Sequence, residues 1–389
     1  MPKFDCKFES QFRQEIMTFK SSDQFRSLNE LCGIDFSSND YLGLSQDQQI
    51  REALINFLAG ANRLSSTGSR LISGHNSHVA EVESYLASTF GSDASLIFGS
   101  GYLASLGVCA ALDHASAEFF SDALIHASWI DGMRLARAKT SIVPHLDLQR
   151  LEDALAHSKA ERKVIFTESI FSMDGDIAPV AEIAALTNKY GAYCVIDEAH
   201  ATGVLGTCGL GSAQDMVSHV ERDRGIFIHT AGKALGAYGA FVCCSADFKT
   251  LMINKARSQI FSTALAPLAV EHIRLAVERM TNNSAFVLSL RHKIKIAQNS
   301  FLEYGISTSG TQINPILCGS NRVAVRAAES LKLRGFAVKA IRFPTVPIGA
   351  ERIRICLNAQ RSTQEIERLT QAVHDVLSER NHENICFGN

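Results

Sequence analysis

Gly225-Ile-Phe-Ile-His-Thr-Ala-Gly-Lys-Ala-Leu-Gly-Ala-Tyr-Gly-Ala240 decides how the rest of the chain is read. The apolar run Ile226 to Ile228 predicts a buried strand, the chain breaks at Thr230-Ala-Gly-Lys233, and Ala240-Phe-Val-Cys-Cys244 predicts a second strand. Lys233 is therefore expected on a tight turn between two core strands, with Gly232, Gly236 and Gly239 supplying backbone freedom. An ammonium buried without a partner costs several kcal/mol or loses its proton. A held, neutral amine is a nucleophile toward carbonyls, which is Schiff-base chemistry. A surface turn lysine is the plain alternative, and the surrounding chain decides between the two.

Working outward, apolar strands and amphipathic helices alternate. Ser95-Leu-Ile-Phe98 predicts a strand, Leu103 to Leu112 a helix, and Glu118-Phe-Phe-Ser121 a strand. Lys163 to Thr167 predicts a further strand, Pro179 to Tyr190 a helix closed by Gly191, and Ala192 to Asp197 another strand. This alternation predicts an α/β fold, a mostly parallel sheet wrapped by helices. Upstream, Ile34-Asp-Phe-Ser37 predicts a short strand, Gln49 to Leu58 a helix and Ser65 to Gly74 a Gly/Ser-rich loop. Ser77 then opens a helix with Val79, Val82, Leu86 and Phe90 on one face. Downstream the pattern changes: one long helix from Pro267 to Tyr304, then short strands near Ile313 to Leu317, Ala337 to Ile341 and Ile353 to Leu357. The capping box Ser362-Thr-Gln-Glu365 opens a last helix that runs to about Arg380. The expected organisation is an N-terminal arm over residues 1–45, a large α/β domain over 46–270 and a smaller α+β domain over 271–389.

With 389 residues, 46% of them apolar and 20% charged, and a net charge of -2, the chain offers no electrostatic case for nucleic acid or an anionic membrane. No apolar stretch predicts a spanning helix, and Met-Pro-Lys-Phe-Asp-Cys at the start lacks the apolar core of a secretory signal. Ten scattered cysteines without a Cys-x-x-Cys pair predict buried thiols in a reducing cytoplasm, not a disulfide framework or a zinc site. A cytoplasmic enzyme is the expectation.

Three features carry chemistry. Gly99-Ser-Gly-Tyr102 follows a strand and opens a helix, so its N–H groups form an anion site, beside which Tyr102 offers an aromatic ring to a flat ligand. Asp197-Glu-Ala-His200 ends an apolar strand, where parallel sheets gather ligands. A carboxylate there suits a protonated ring nitrogen, and His200 is close enough in sequence to reach the same ligand. The helicase-type nucleotidase reading of these letters fails because Gly232-Lys233 is followed by alanine and lies downstream. An anion site, a strand-end aspartate and a glycine-flanked lysine answer the phosphate, pyridinium and aldehyde of pyridoxal 5'-phosphate. Met173-Asp-Gly-Asp176 reads as a turn rather than a metal loop.

Taken together, these blocks resemble the α-oxoamine synthase family of fold-type-I pyridoxal-phosphate transferases. The resemblance rests on Asp35-Phe-Ser-Ser-Asn-Asp-Tyr-Leu-Gly-Leu44, Ser66-Thr-Gly-Ser-Arg-Leu-Ile-Ser-Gly74, Ser172-Met-Asp-Gly-Asp-Ile-Ala-Pro179, Asp197-Glu-Ala-His-Ala-Thr-Gly-Val-Leu-Gly206, Gly232-Lys-Ala-Leu-Gly236 and Pro344-Thr-Val-Pro-Ile-Gly349. It implies that Lys233 carries the cofactor, Asp197 pairs with the ring nitrogen, His200 contacts the ring hydroxyl and His126 stacks on the ring. It further implies that Gly101, Tyr102 and Thr230 border the phosphate and that Ser169 lines the ring pocket. Ser262 and Thr263 resemble the segment that reaches the phosphate of a neighbouring subunit, which implies a homodimer. Arg354 matches the arginine that clamps the amino-acid carboxylate, with Asn39 beside it. Arg352 is expected to face away from it on the same strand.

The cofactor-surrounding blocks resemble the biotin-synthesis branch of that family. This implies an acyltransferase that condenses L-alanine with pimeloyl-CoA or pimeloyl-acyl-carrier protein, with loss of carbon dioxide. Branches using glycine or serine with other acyl thioesters, or making a signalling aminoketone, share the same lysine, aspartate and histidines. A cofactor-binding module without turnover is the alternative from another class. The N-terminal segment offers only Arg13 and Arg26 where the family's arm is rich in arginine, so no ligand for the far end of the acyl group is assigned.

Overall fold

The computed structural model describes residues 7–212 and 223–386. After β1 (Ile34–Asp35), the chain builds a seven-stranded sheet from β2 (Ala94–Phe98), β3 (Ala117–Asp122), β4 (Lys139–Val143), β5 (Arg162–Glu168), β6 (Tyr193–Asp197), β7 (Gly225–Thr230) and β8 (Ala240–Cys244). Their order across the sheet is β2-β8-β7-β6-β5-β3-β4. The run from β4 to β7 is parallel, while β8 is antiparallel to both β7 and β2. Side chains alternate into two cores: Phe98, Phe166, Val195 and Ile228 pack on one face, and Ile97, Ile165, Ile196 and Phe227 on the other. Burial on both faces is why these strands read as unbroken apolar runs.

Helices Gly101–Leu112, Ala127–Ala136 and Ala246–Lys255 cover one face through residues such as Val108, Trp129 and Met252. Helices Ser77–Thr89, Val180–Tyr190 and Pro267–Asn282 cover the other through Val82, Ile183 and Ile273. Lys233 follows β7 on the turn to β8, as the opening stretch predicts. In that turn Gly236 is required: its φ is +60° and a Cβ there would lie 2.2 Å from the Ser45 nitrogen. Gly232 is different, since a Cβ would meet nothing nearer than 3.8 Å, and the freedom expected there is not used.

The C-terminal part forms its own sheet, β11-β12-β9, from β9 (Ile313–Leu317), β11 (Lys339–Ile341) and β12 (Arg352–Cys356), all antiparallel. β10 (Phe336–Ala337) pairs instead with β1, in parallel. The segment beyond β1 is stitched to the same body, with Cys356 N–H donating to the Phe36 carbonyl at 2.7 Å and Ala359 N–H to that of Tyr41 at 2.8 Å. Asn39 and Tyr41 are thereby set against β12.

Several elements differ from expectation. The arm holds a helix, Lys7–Ser21, while its residues 1–6 lie outside the described residues. The long helix expected from Pro267 is two, Pro267–Asn282 and Ala285–Glu303, parted at Asn283, whose φ of -135° and ψ of 87° are not helical. The helix that Ser77 opens begins there as expected, Ser77–Thr89, with Asn76 capping it. The capping box is present, with Ser362 N–H donating to Glu365 Oε2 at 2.7 Å and Glu365 N–H to Ser362 Oγ at 3.1 Å. Among the described residues no helix is long and apolar enough to cross a membrane.

Candidate active site

Five chain segments leave the sheet on one edge. β5 ends at Glu168 and β6 at Asp197, opposite one another in register. β7 ends at Thr230, three residues before Lys233; β3 leads to His126, and β2 to Ser100 and Gly101. Ligands of open α/β sheets bind at this carboxyl edge.

Lys233 Nζ lies 2.7 Å from His200 Nε2, and His200 Nδ1 lies 2.7 Å from the Tyr41 oxygen. The Tyr41 hydroxyl donates its one hydrogen to Asn39 Oδ1 at 2.9 Å. Tyr41 must then accept from His200, which assigns the imidazole proton to Nδ1 and leaves Nε2 to accept from the lysine. Burial, with the charges of Lys233, Arg354 and His126, holds His200 well below the ordinary histidine range. Burial also brings the Lys233 amine down to about 8, assisted by Arg354 and opposed by Asp197 and Glu168.

Asp197 is held on both oxygens: Ala199 N–H donates to Oδ1 at 2.9 Å and Trp129 Nε1 to Oδ2 at 2.8 Å. Its neighbour Glu168 accepts from His126 N–H at 2.6 Å and Ser172 N–H at 3.2 Å. Burial and the charge of Asp197 push the Glu168 carboxyl well above its ordinary range. His126 caps helix Ala127–Ala136, its Nδ1 accepting from Ser128 N–H at 3.3 Å. Burial lowers its pKa, with Asp197 opposing and Lys233 adding to the shift.

Arg354 donates through Nε to the Ser172 carbonyl at 2.7 Å and through Nη1 to Asn39 Oδ1 at 3.0 Å and Cys356 Sγ at 2.8 Å. Its Nη2 makes only a 3.5 Å contact with Tyr41, so this edge of the guanidinium has donors to offer a carboxylate. The expected opposition of Arg352 and Arg354 is wrong. Residues two apart on a strand share a face, and Arg352 reaches the neighbouring Met173 carbonyl at 3.1 Å and Asp174 Oδ1 at 2.5 Å. Arg352 differs from Arg354 in its partner, a salt bridge within the Ser172–Asp176 turn. That turn is built on Gly175 with φ of +73°, and no cluster suited to a metal occurs among the described residues.

At the anion site Ser100 caps helix Gly101–Leu112. A Cβ on Gly101 would sit 3.6 Å from Thr230 Oγ1, so the glycine keeps a gap between the helix start and the threonine. Tyr102 is half exposed and its hydroxyl donates to Asp131. Ser169 is buried beside Asp197, whose carbonyl accepts its N–H at 3.0 Å, while its hydroxyl pairs with Ser212 at 2.6 Å. Ser262 and Thr263 line a small cleft with Arg70 and Gly99.

Pyridoxal 5'-phosphate fits this donor set: an amine of lowered pKa, a strand-end carboxylate held by two N–H groups, two neighbouring histidines, and a helix start with a glycine-kept gap beside a threonine hydroxyl. Sequence reasoning missed Glu168, Trp129, Tyr41, Gln312 and Cys356 as site residues. Glu168 ends an apolar strand just as Asp197 does, and that signal was available. The others arrive through space: Gln312 Nε2, for instance, donates to the His200 carbonyl at 2.8 Å.

The chain is 39% identical over 359 residues to the 8-amino-7-oxononanoate synthase of Bordetella petrii, covering 89% of each. It is 40% identical over 352 residues to that of Nitrosomonas eutropha, covering 88% of this chain and 89% of the relative. Among solved structures, 8-amino-7-oxononanoate synthase from Francisella tularensis superposes with a TM-score of 0.76 at 25% identity, over 90% of this chain and 99% of the other. Serine palmitoyltransferase of Sphingomonas wittichii shares the fold, with a TM-score of 0.86 at 22% identity over 98% and 99%. Residues 33–373 match the aminotransferase class I and II family. The chain belongs to that family, in its α-oxoamine synthase branch.

Proposed function

We propose that this protein joins L-alanine to a pimeloyl thioester, of coenzyme A or an acyl-carrier protein, releasing carbon dioxide and free thiol and forming 8-amino-7-oxononanoate for biotin. The observation that carries this is the 39% identity to a synthase of that name across 89% of both chains. The gathering of Lys233, Asp197, His126, His200 and Arg354 at one sheet edge supports it.

Pyridoxal 5'-phosphate, when bound, supplies a sink for the electrons left on the alanine Cα. The protein's residues do the rest. Arg354 and Asn39 would receive the alanine carboxylate and so orient the Cα for proton transfer. Lys233 Nζ, held near the pH at which it can both accept and return a proton, takes the Cα proton. Asp197 would pair with the ring nitrogen and favour its protonated form, His126 would stack on the ring, and His200 would contact the ring hydroxyl, with Ser169 lining the ring pocket. Gly101, Tyr102 and Thr230 hold the phosphate, joined by Ser262 and Thr263 of a second copy in a cytoplasmic homodimer.

The test mixes the protein and pyridoxal 5'-phosphate with pimeloyl-CoA and, in turn, alanine, glycine or serine, reading thiol release and product mass. Alanine alone should give thiol and a product of the mass of 8-amino-7-oxononanoate. Turnover confined to glycine or serine overturns the substrate assignment. Pimeloyl-acyl-carrier protein in a parallel series decides the carrier.

A further inference from the structure

We propose that Trp129 is a positioning residue, whose indole N–H fixes the carboxylate of Asp197 in the plane that meets the cofactor's ring nitrogen. The inference deepens the proposed function and rests on its cofactor. Trp129 is the chain's one tryptophan and is fully buried. If its task were to fill space, phenylalanine would serve: it packs at 5.5 Å from the Phe166 ring in an otherwise apolar core. The indole adds one donor and no acceptor, and that donor is spent on Asp197 Oδ2 at 2.8 Å.

The Ala199 N–H holds the other oxygen at 2.9 Å. One donor on each oxygen removes the carboxylate's rotation while leaving each oxygen a lone pair for the ring N–H. The indole itself is held. Trp129 lies in the first turn of helix Ala127–Ala136, and its own N–H donates to the His126 carbonyl at 2.9 Å. The helix is pressed onto its neighbour at Gly132, where a Cβ would come within 2.9 Å of Cys109 Sγ. A single helical turn therefore sets both the histidine on the ring face and the donor behind the ring-nitrogen partner.

The experiment is a double-mutant cycle on pyridoxal 5'-phosphate affinity with Trp129→Phe and Asp197→Ala. Without that hydrogen bond the carboxylate is free to rotate, so Trp129→Phe should raise the cofactor Kd about tenfold in the parent. In the Asp197→Ala background it should change little, because the group it positions is gone. Equal losses in both backgrounds mean that the indole only packs, and overturn the proposal. A Trp129→Phe protein that does not fold leaves a second arm. In apo protein the emission of the one tryptophan should differ between the parent and Asp197→Ala, and superimposable spectra overturn the proposal. A parent that takes up no cofactor refutes the proposed function instead, and the apo emission still reports on the indole.

Discussion

Lys233 is where burial acts most directly on the chemistry. Its amine, lowered to about 8 by burial, is neutral in a larger share of molecules than a surface lysine at the same pH. Capture of pyridoxal 5'-phosphate by the apo protein should accordingly speed up with pH around a midpoint near 8 and vanish in Lys233→Ala. Stopped-flow absorbance checks this, and a midpoint near that of a free lysine would remove the role given to burial. Glu168 makes a second prediction at this scale. Its carboxyl accepts the His126 and Ser172 N–H groups, so Glu168→Ala strands the buried Ser172 donor at about 1–3 kcal/mol and takes the acceptor from the part-buried His126 N–H at a smaller cost. Denaturant unfolding should register that loss, and cofactor affinity should fall with it because the segments carrying His126 and holding Arg354 both loosen. The two strand-end acids also show what was legible. Asp197 stood out because His200 follows it and a glycine-flanked lysine lies downstream, whereas Glu168 has no such companions in sequence. Tyr41 and Trp129 were unreadable as site residues because their roles consist of one hydroxyl and one N–H meeting a side chain far along the chain.

Between residues and fold, His145 joins two of the loops that form the site. It bonds Asp122 Oδ1 at 2.9 Å and Asp176 Oδ2 at 2.6 Å, with its ring edge-on to Phe171. Burial opposes its charge, but the two carboxylates outweigh burial and raise its pKa to about 10. A histidine raised in the folded state stabilises fully below its unfolded value near 6.5, and that contribution is lost as pH rises through about 10. His145→Gln should therefore melt lower than the parent at pH 6, by about 1–2 kcal/mol given partial solvent screening, and the gap should close toward pH 10. A gap that stays constant with pH would show that the ring packs rather than pairs. The elements that sequence reasoning passed over have related physical causes. β4 is the sheet edge, and its Lys139-Thr-Ser run carries no apolar stretch to read. Helix Leu148–His157 is a different case: Leu148, Leu151 and Leu155 recur at helical spacing, a signal that was available. The break at Asn283 has neither glycine nor proline to announce it. The central strands were legible because burial on both faces demands continuous apolar sequence.

At the scale of the whole molecule, exposed apolar side chains gather on the segments around Ser262 and Thr263. Ile72, Tyr238 and Phe261 are 83%, 64% and 71% exposed there, on segments tied to one another. Ala264 N–H donates to the Gly68 carbonyl at 3.0 Å, Ser66 Oγ to that of Leu265 at 2.6 Å, and Gly239 abuts the Leu265 side chain. Large apolar side chains grouped in this way mark a surface that another protein covers, and the proposed second copy would bring its own Ser262 and Thr263 to the phosphate. A stable pairing needs about 1,200–2,000 Å² of buried surface. The protein should sediment as a dimer at micromolar concentration, and Ile72→Asp combined with Phe261→Asp should yield a folded monomer. That monomer should hold pyridoxal 5'-phosphate more weakly although Lys233, Asp197, His126 and His200 are untouched, since it lacks the partner's hydroxyls. A parent that sediments as a monomer overturns the dimer. A monomeric variant with unchanged cofactor affinity overturns the sharing of the site while leaving the dimer in place.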